Sequence, residues 1–150
     1  MNGLAVMNLA HAIAVVAHDG QSRKGAGEPY INHVERVADS VYGWKLKSIA
    51  YLHDVIEDTG ITFGDLNNIG IPKEIAYAVH ILSREEDQSY AEFIDKIIAY
   101  KSILDIDIVT VKMADIEDNL SDLDTTEFWN MRKRYMKALL KLQDALEGSN

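Results

Sequence analysis

The sequence predicts an all-α fold in a single domain, and three observations support this prediction. The chain has 150 residues, of which 47% are hydrophobic, so one domain can bury a substantial core. Most segments space their apolar residues as amphipathic helices do, and capping residues precede several of them. The one segment with a strand-like pattern has no convincing partner strand. No repeat, low-complexity tract or linker divides the sequence, so we expect residues 1–150 to form one domain.

The first part of the chain contains three predicted helices separated by polar or glycine-containing segments. Residues 4–17 are mostly apolar and rich in alanine, and Gly20 ends this helix. A loop with three glycines and a proline occupies residues 20–29. Residues 30–42 form an amphipathic helix, and residues 46–58 form the predicted central helix.

Helix starts in the remaining sequence are marked by capping residues and a proline. Three polar residues are each followed three positions later by an acid, as in a capping box: Thr62 with Asp65, Ser89 with Glu92, and Asp124 with Glu127. These pairs predict a short helix from residue 62, a helix ending near residue 100 and a last helix ending near residue 147. Pro72 suits the first turn of one more helix, over residues 72–83.

Residues 103–113 are ambiguous by pattern alone. The run Leu104-Asp-Ile-Asp-Ile-Val-Thr-Val alternates and is rich in β-branched residues, which favours a strand. A helix is also compatible, since Leu104, Ile108 and Asp115 would then share one face. Because a lone strand would leave its backbone groups unpaired, we favour a helix.

The segment at residues 51–59, Tyr-Leu-His-Asp-Val-Ile-Glu-Asp-Thr, places ionisable groups in what is otherwise a core helix. His53 falls on the apolar stripe of that helix, so its side chain should point inward. Glu57 follows His53 by one turn, and Asp58 follows Asp54 by one turn. Buried carboxylates are unfavourable unless something compensates them, and a bound cation can do so. The alternative is a helix end whose acids are solvated.

Four residues from three predicted helices form a candidate metal site: His33, His53, Asp54 and Asp115. Two imidazoles and two carboxylates suit a borderline divalent ion such as manganese, iron or zinc better than calcium. A single histidine on a helix is more often a core or surface residue. The combination of all four residues is therefore the stronger signal.

The motifs around these residues resemble those of the HD-domain phosphohydrolases, and most closely the hydrolase domain of RelA/SpoT-type proteins and the stand-alone small alarmone hydrolases. Four stretches between about residue 10 and about residue 140 carry the resemblance: Ala17-His-Asp-Gly-Gln-Ser-Arg-Lys24, Pro29-Tyr-Ile-Asn-His33, Leu52-His-Asp-Val-Ile-Glu-Asp-Thr59, and Val111-Lys-Met-Ala-Asp115 with Asn119. Those enzymes remove the 3′-pyrophosphate from (p)ppGpp. The resemblance implies an HD-type helical bundle, a manganese-dependent site and a helix at residues 103–113.

The resemblance also implies a role for each motif residue. The implied metal ligands are His33, His53, Asp54 and Asp115. Glu57 and Asp58 would orient and activate the attacking water. Arg23 and Lys24 would contact the phosphate and base of the substrate, and Asn119 would hold the nucleoside. Without the resemblance, an arginine–lysine pair in a glycine-rich loop is typical of solvated surface.

The sequence departs from the family around the last implied ligand. Alarmone hydrolases usually read Asp-Arg-Leu-His-Asn or similar there, whereas this chain reads Asp115-Ile-Glu-Asp-Asn119. A basic residue is absent and two acids are present, which is unfavourable beside a polyphosphate unless the acids face away. Two alternatives therefore stay open. One is a phosphatase for a 2′- or 5′-phosphate of another nucleotide, such as NADPH or a nucleoside monophosphate; the other is a metal-containing nucleotide-binding module without hydrolysis.

Three residues near the C-terminus also have two interpretations: Arg132, Arg134 and Tyr135. They would supply phosphate contacts and a stacking ring if the helix turned them toward the site. The alternative is an exposed basic helix face, and the sequence does not fix the register.

Composition excludes several kinds of chemistry and partner. The chain has no cysteine, which excludes disulfide bonds, thiolate zinc sites and cysteine nucleophiles. Its net charge of −9 disfavours nucleic-acid binding. We find neither a membrane-spanning run nor a secretory signal, so we expect a cytoplasmic protein, monomer or homodimer, acting on a small phosphorylated nucleotide. The chain ends at Asn150 without room for a synthetase domain, so we expect it only to degrade alarmone.

Overall fold

A computed structural model of the chain describes residues 1–23, 27–101, 103, 106–123 and 129–148. Its helices are α1 (Gly3–Ala17), α2 (Tyr30–Asp39), α3 (Trp44–Leu52), α4 (Val55–Asp58), α5 (Phe63–Ile69), α6 (Lys73–Ile81), α7 (Tyr90–Tyr100), α8 (Ile108–Asp122) and α9 (Trp129–Glu147). In these ranges no strand is present, and the only β-type pairing is an isolated bridge between Ser22 and Pro29. The all-α prediction is confirmed.

Capping residues begin two of these helices where the sequence predicted them. The Thr62 side chain accepts from the backbone N–H of Asp65, and the Asp65 carboxylate accepts from the N–H of Thr62, which completes a capping box. At the start of α7, Ser89 accepts from the N–H of Glu92. The predicted capping pair of Asp124 and Glu127 lies outside the described residues.

The ambiguous segment at residues 103–113 is helical from Ile108 onward. The carboxylate of Asp107 caps α8 by accepting from the N–H of Thr110 at 3.1 Å. Residues 103, 106 and 107 are not helical, so the helix begins later than predicted. Asp107 is therefore a helix cap, although the alternating pattern around it is typical of a strand.

The central helix predicted over residues 46–58 is interrupted, and the prediction of a continuous helix was wrong. α3 ends at Leu52, and the next helix begins only at Val55. The carbonyl of Ala50 accepts from Nδ1 of the His53 ring at 2.6 Å, and the backbone N–H of His53 points to the same carbonyl at 3.5 Å. Asp54 follows with φ −103° and ψ −1°. The side chain thus takes over a backbone acceptor that a regular helix would use.

α3 lies at the centre of the structure and packs against α1, α2, α6 and α8. Its fully buried residues Ile49, Ala50 and Leu52 belong to the hydrophobic core shared by these helices. α9 covers α7 and α8 from outside. This packing fixes the end of α3 between α2 and α8. None of the helices in the described part of the chain combines the length and apolar character that a membrane span needs.

Replacement of two glycines at helix starts by alanine should change the free energy of unfolding in opposite directions. A Cβ added to Gly3 would lie 2.5 Å from the Trp44 ring, whereas one added to Gly64 would meet only Thr62 Oγ1 at 3.7 Å. We expect Gly3→Ala to lower the free energy of unfolding by about 1–3 kcal/mol, because the α1–α3 contact must open. Gly64→Ala should raise it by about 0.5–1 kcal/mol. Urea unfolding checks both values, and equal stabilisation by the two changes would contradict this packing.

Candidate active site

The four residues of the predicted metal set converge on one point. His33 comes from α2 and Asp115 from α8, while His53 and Asp54 occupy the turn between α3 and α4. Each offers one ligand atom, and these atoms all lie within 4.8 Å of one another. The Nε2 atoms of the two histidines lie 3.0 and 3.2 Å from Asp115 Oδ1. All four residues are buried, so this is an enclosed cluster rather than a surface patch of acids.

The interrupted helix brings His53 and Asp54 together. Consecutive residues of a regular helix point about 100° apart. Here the turn lets both side chains face the same centre, with His53 Nε2 at 2.9 Å from Asp54 Oδ2. The break between α3 and α4 therefore places both candidate ligands at the site.

The second ring nitrogen of each histidine is occupied by a protein acceptor. Nδ1 of His33 lies 2.7 Å from the Asp118 carboxylate, and Nδ1 of His53 lies 2.6 Å from the Ala50 carbonyl. A proton on each Nδ1 leaves the Nε2 lone pairs directed at the common centre. Two nitrogen and two carboxylate donors in that arrangement suit a divalent transition metal.

Neighbouring charges keep the two buried acids ionised. Burial by itself would raise the pKa of Asp115, but the Lys112 ammonium at 2.7 Å and the two imidazoles hold it well below its usual range. Burial likewise opposes ionisation of Asp54, whose pKa is lowered by His53. In return the two carboxylates raise the pKa of His53 well above its usual value, against the effect of burial.

Glu57 and Asp58 lie on α4 and line the cleft that leads to the centre. Burial, followed by the charge of Asp54, raises the pKa of both acids. Glu57 accepts from the backbone N–H of Arg84 at 2.8 Å, and the Tyr30 hydroxyl donates to Asp54 at 2.5 Å. The first contact holds Glu57 beside the candidate ligands, and the second orients the candidate ligand Asp54.

The cleft in front of this centre has a volume of about 290 Å³. Three cations line it together with the acids: Arg84, Lys112 and Arg134. A second cleft of about 350 Å³ adjoins it and shares four lining residues with it: Tyr30, Asp58, Asn119 and Tyr135. Arg134 and Tyr135 thus line the candidate site, whereas Arg132 is not among the lining residues and points to the Leu120 carbonyl at 3.4 Å. The structure thus fixes which side of α9 faces the cleft, a point that the sequence left open.

Arg23 and Asn119, predicted to contact substrate, are bonded to the protein. The Arg23 guanidinium donates to Asn119 Oδ1 at 2.8 Å and pairs with Asp118 and Asp122. Asn119 in turn donates to Asp115 Oδ1 at 3.3 Å. Arg23 is only 7% exposed, so few of its donors are available to a ligand. Lys24, the other half of the predicted pair, lies outside the described residues.

Several residues at the site were not assigned a role from the sequence. Lys112 and Asp118 lie three residues before and after Asp115, and Tyr30 lies three residues before His33. Helical spacing from the predicted ligands would have found these residues. Arg84 carries no such signal, because it reaches the cleft from the loop after α6.

Comparison with known proteins agrees with the resemblance carried by the sequence motifs. The chain is 32% identical over 148 residues to the bifunctional (p)ppGpp synthase/hydrolase SpoT of Escherichia coli (strain K12), a match that covers 91% of this chain and 20% of SpoT. It is 29% identical over 154 residues to the guanosine-3′,5′-bis(diphosphate) 3′-pyrophosphohydrolase MESH1 of Drosophila melanogaster, covering 91% of this chain and 82% of MESH1. No family model matches the chain.

A solved structure has the same fold. It is described as a metazoan ortholog of SpoT that hydrolyzes ppGpp and plays a role in starvation responses. The two chains superpose with a TM-score of 0.76 at 26% identity, covering 97% of this chain and 88% of the other. The fold of this chain is thus that of a solved ppGpp hydrolase. Over 91% of its length the chain is similar to the SpoT proteins, although it spans only about 20% of the length of those proteins.

Metal binding should depend on His53 and on pH. A metal ion needs the neutral imidazole, so we expect the affinity for Mn²⁺ to fall as the pH decreases from about 8 to about 6, by up to about tenfold per unit for each proton displaced. His53→Asn should abolish tight binding, whereas His80→Asn, at an exposed histidine on α6, should not change it. Isothermal titration calorimetry of the metal-stripped chain measures both effects, with circular dichroism to show that the fold persists. A pH-independent affinity would contradict the proposed histidine ligands.

Proposed function

We propose that this chain is a manganese-dependent phosphohydrolase that removes pyrophosphate from the 3′ position of (p)ppGpp. Four residues would hold the ion: His33, His53, Asp54 and Asp115. The observation that carries the proposal is their convergence at the end of a cleft that Glu57 and Asp58 line together with three cations. The relatives SpoT and MESH1 are named for hydrolysis of this substrate class, which supports the same substrate here.

Glu57 and Asp58 are suited to accept the proton of the attacking water. Their pKa values are raised by burial, toward the range in which a carboxylate is an effective general base near neutral pH. A divalent ion at the neighbouring centre would supply Lewis-acid charge and lower the pKa of the water. The oxygen of that water attacks the phosphorus on the 3′ oxygen, and the bond to the 3′ oxygen breaks. The 3′ oxygen leaves as part of GDP and takes up a proton, and the oxygen of the water stays on the released pyrophosphate, so that ppGpp and water yield GDP and pyrophosphate.

The cations of the cleft are suited to bind the phosphate groups of the substrate. Arg84, Lys112 and Arg134 offer guanidinium and ammonium donors in one cleft, and the guanidinium fork suits phosphate oxygens. The adjoining cleft contains Asn119 and the Tyr135 ring, which provide an amide and a stacking surface for the nucleoside. Phosphates would thus lie toward the metal centre and the base away from it.

The first experiment tests both the substrate and the catalytic acids. The manganese-loaded chain should convert ppGpp to GDP and pyrophosphate, and chelation should abolish the reaction. We expect Glu57→Gln to lower kcat by about 10²–10⁴-fold, because it removes a proton acceptor. Glu86→Gln, at an exposed acid outside the cleft lining, is the matched control and should leave kcat unchanged.

Parallel assays with NADPH and nucleoside monophosphates separate the alternatives. Turnover of one of these in preference to ppGpp would replace the proposed substrate and keep the metal-dependent chemistry. Tight binding of nucleotide to the metal-loaded chain without any product would identify a non-hydrolytic module and overturn the proposal.

A second prediction tests the phosphate side of the cleft. Arg134→Gln should raise KM for ppGpp about tenfold, the effect of losing roughly 1.4 kcal/mol of charge-assisted binding. Arg132→Gln removes the same charge from the same helix but outside the cleft lining, so KM should change less than about twofold. Initial-rate kinetics at fixed ionic strength measure both. Equal effects of the two substitutions would show that only the net charge of α9 matters.

A further inference from the structure

We propose that Asp118 is a positioning residue of the metal centre, which fixes the ring of His33 and strengthens it as a ligand. This inference rests on the metal site of the proposed function but not on its substrate. The neighbouring arginines, Arg23 and Arg36, hold Asp118 in place. Through Asp118 they are connected to the metal centre.

The contact between Asp118 and His33 has the geometry of a buried, directed hydrogen bond. Asp118 Oδ2 lies 2.7 Å from His33 Nδ1, while the opposite ring nitrogen, Nε2, lies 3.0 Å from Asp115 Oδ1 at the centre. The His33 side chain is 1% exposed, and that of Asp118 is 12% exposed. A carboxylate in this position keeps the proton on Nδ1, leaves Nε2 free to coordinate and raises the donor strength of the ring.

The two candidate histidines differ in this respect. His53 donates from Nδ1 to the neutral carbonyl of Ala50, which belongs to its own helix. His33 donates to an anion that comes from a different helix, α8. Since a carboxylate is the stronger acceptor, His33 is the histidine whose ligand strength the protein tunes.

The two arginines hold the carboxylate in a fixed orientation. Arg36 donates from Nε to Asp118 Oδ1 at 2.7 Å and from Nη2 to Oδ2 at 3.1 Å, a two-point contact. Arg23 Nη1 lies 3.0 Å from the same Oδ2. Both guanidinium groups also contact Glu28. Two guanidinium groups therefore pair with the carboxyl group that faces His33.

Arg23 reaches the centre by a second route. Its Nη2 donates to Asn119 Oδ1 at 2.8 Å, and the Asn119 amide donates to Asp115 Oδ1 at 3.3 Å. One arginine thus supports a histidine through Asp118 and a carboxylate through Asn119. This double contact accounts for the burial of Arg23 inside the protein.

The position of Asp118 gives the inference its specificity for this chain. In the motif typical of the family a histidine stands between the leucine and the asparagine, and here that position is Asp118. A histidine next to His33 would be a neutral or cationic neighbour, whereas Asp118 is an anion. The departure from the family motif therefore places a carboxylate in contact with the ring of His33.

The test compares two acids that are adjacent in sequence. Asp118→Asn removes the charge behind His33, and Glu117→Gln removes the same charge from an exposed neighbour. We expect calorimetric titration of the metal-stripped full chain with Mn²⁺ to show about 10–100-fold weaker binding for Asp118→Asn. Glu117→Gln should bind as the wild type does. Affinities within twofold for both variants would overturn the proposal.

A measurement on the wild-type chain keeps the test decisive if Asp118→Asn does not fold. In the zinc-loaded protein, a diamagnetic substitute for manganese, ¹⁵N-correlated NMR should show His33 with its proton on Nδ1 and a strongly downfield proton shift. The shift should move upfield in a folded Asp118→Asn variant and stay in place in Glu117→Gln. A His33 proton on Nε2 would overturn the proposal. Weakened metal binding with no hydrolysis of ppGpp by the wild type would instead remove the proposed substrate and leave the role of Asp118 intact.

Discussion

The rest of the structure depends on the burial of two carboxylates, Asp54 and Asp115, around one point. Each would be unfavourable by several kcal/mol in a protein interior without compensation. The chain provides compensation from several directions: imidazoles on one side, the Lys112 ammonium at Asp115 and the Tyr30 hydroxyl at Asp54. A divalent cation at this point would complete this balance, because it would satisfy the remaining oxygen and nitrogen lone pairs together. The site is thus arranged so that ion binding and folding favour the same geometry.

Charges alternate outward from this centre. Lys112 pairs with Asp115 at the centre. Behind His33, the carboxylate of Asp118 meets Arg23 and Arg36, and these arginines in turn contact Asp122 and Glu28. A chain with a net charge of −9 repels a polyphosphate at long range, so it has to offer local cations where the phosphates would lie. Arg84 and Arg134 take that position in the cleft. The arginines therefore form two groups: Arg23 and Arg36 pair with the carboxylate behind His33, and Arg84 and Arg134 line the cleft in front of the centre.

Much of the fold follows from local signals, and the errors have tertiary causes. Capping at Thr62 and Ser89 depends on residues three positions away, so the sequence predicts it well. The interruption at His53 was missed because the apolar stripe continues through it, while the competing hydrogen bond depends on the orientation of one ring. The candidate ligands were found because an imidazole and carboxylate set is chemically unusual. The enclosure of Arg23 was not foreseen, since its partners Asp118 and Asp122 are distant in sequence.

The departure from the family motif at residues 115–119 shows that the direction of each side chain matters more than the number of acids in the motif. Two added acids beside a polyphosphate site imply repulsion if both face the ligand. On α8, however, three successive residues point to three different sides. Ile116 is fully buried in the core, Glu117 is exposed to solvent, and Asp118 turns toward His33 and its arginines. Neither acid lines the cleft, and the carboxylate of Asp118 faces the candidate ligand His33 instead.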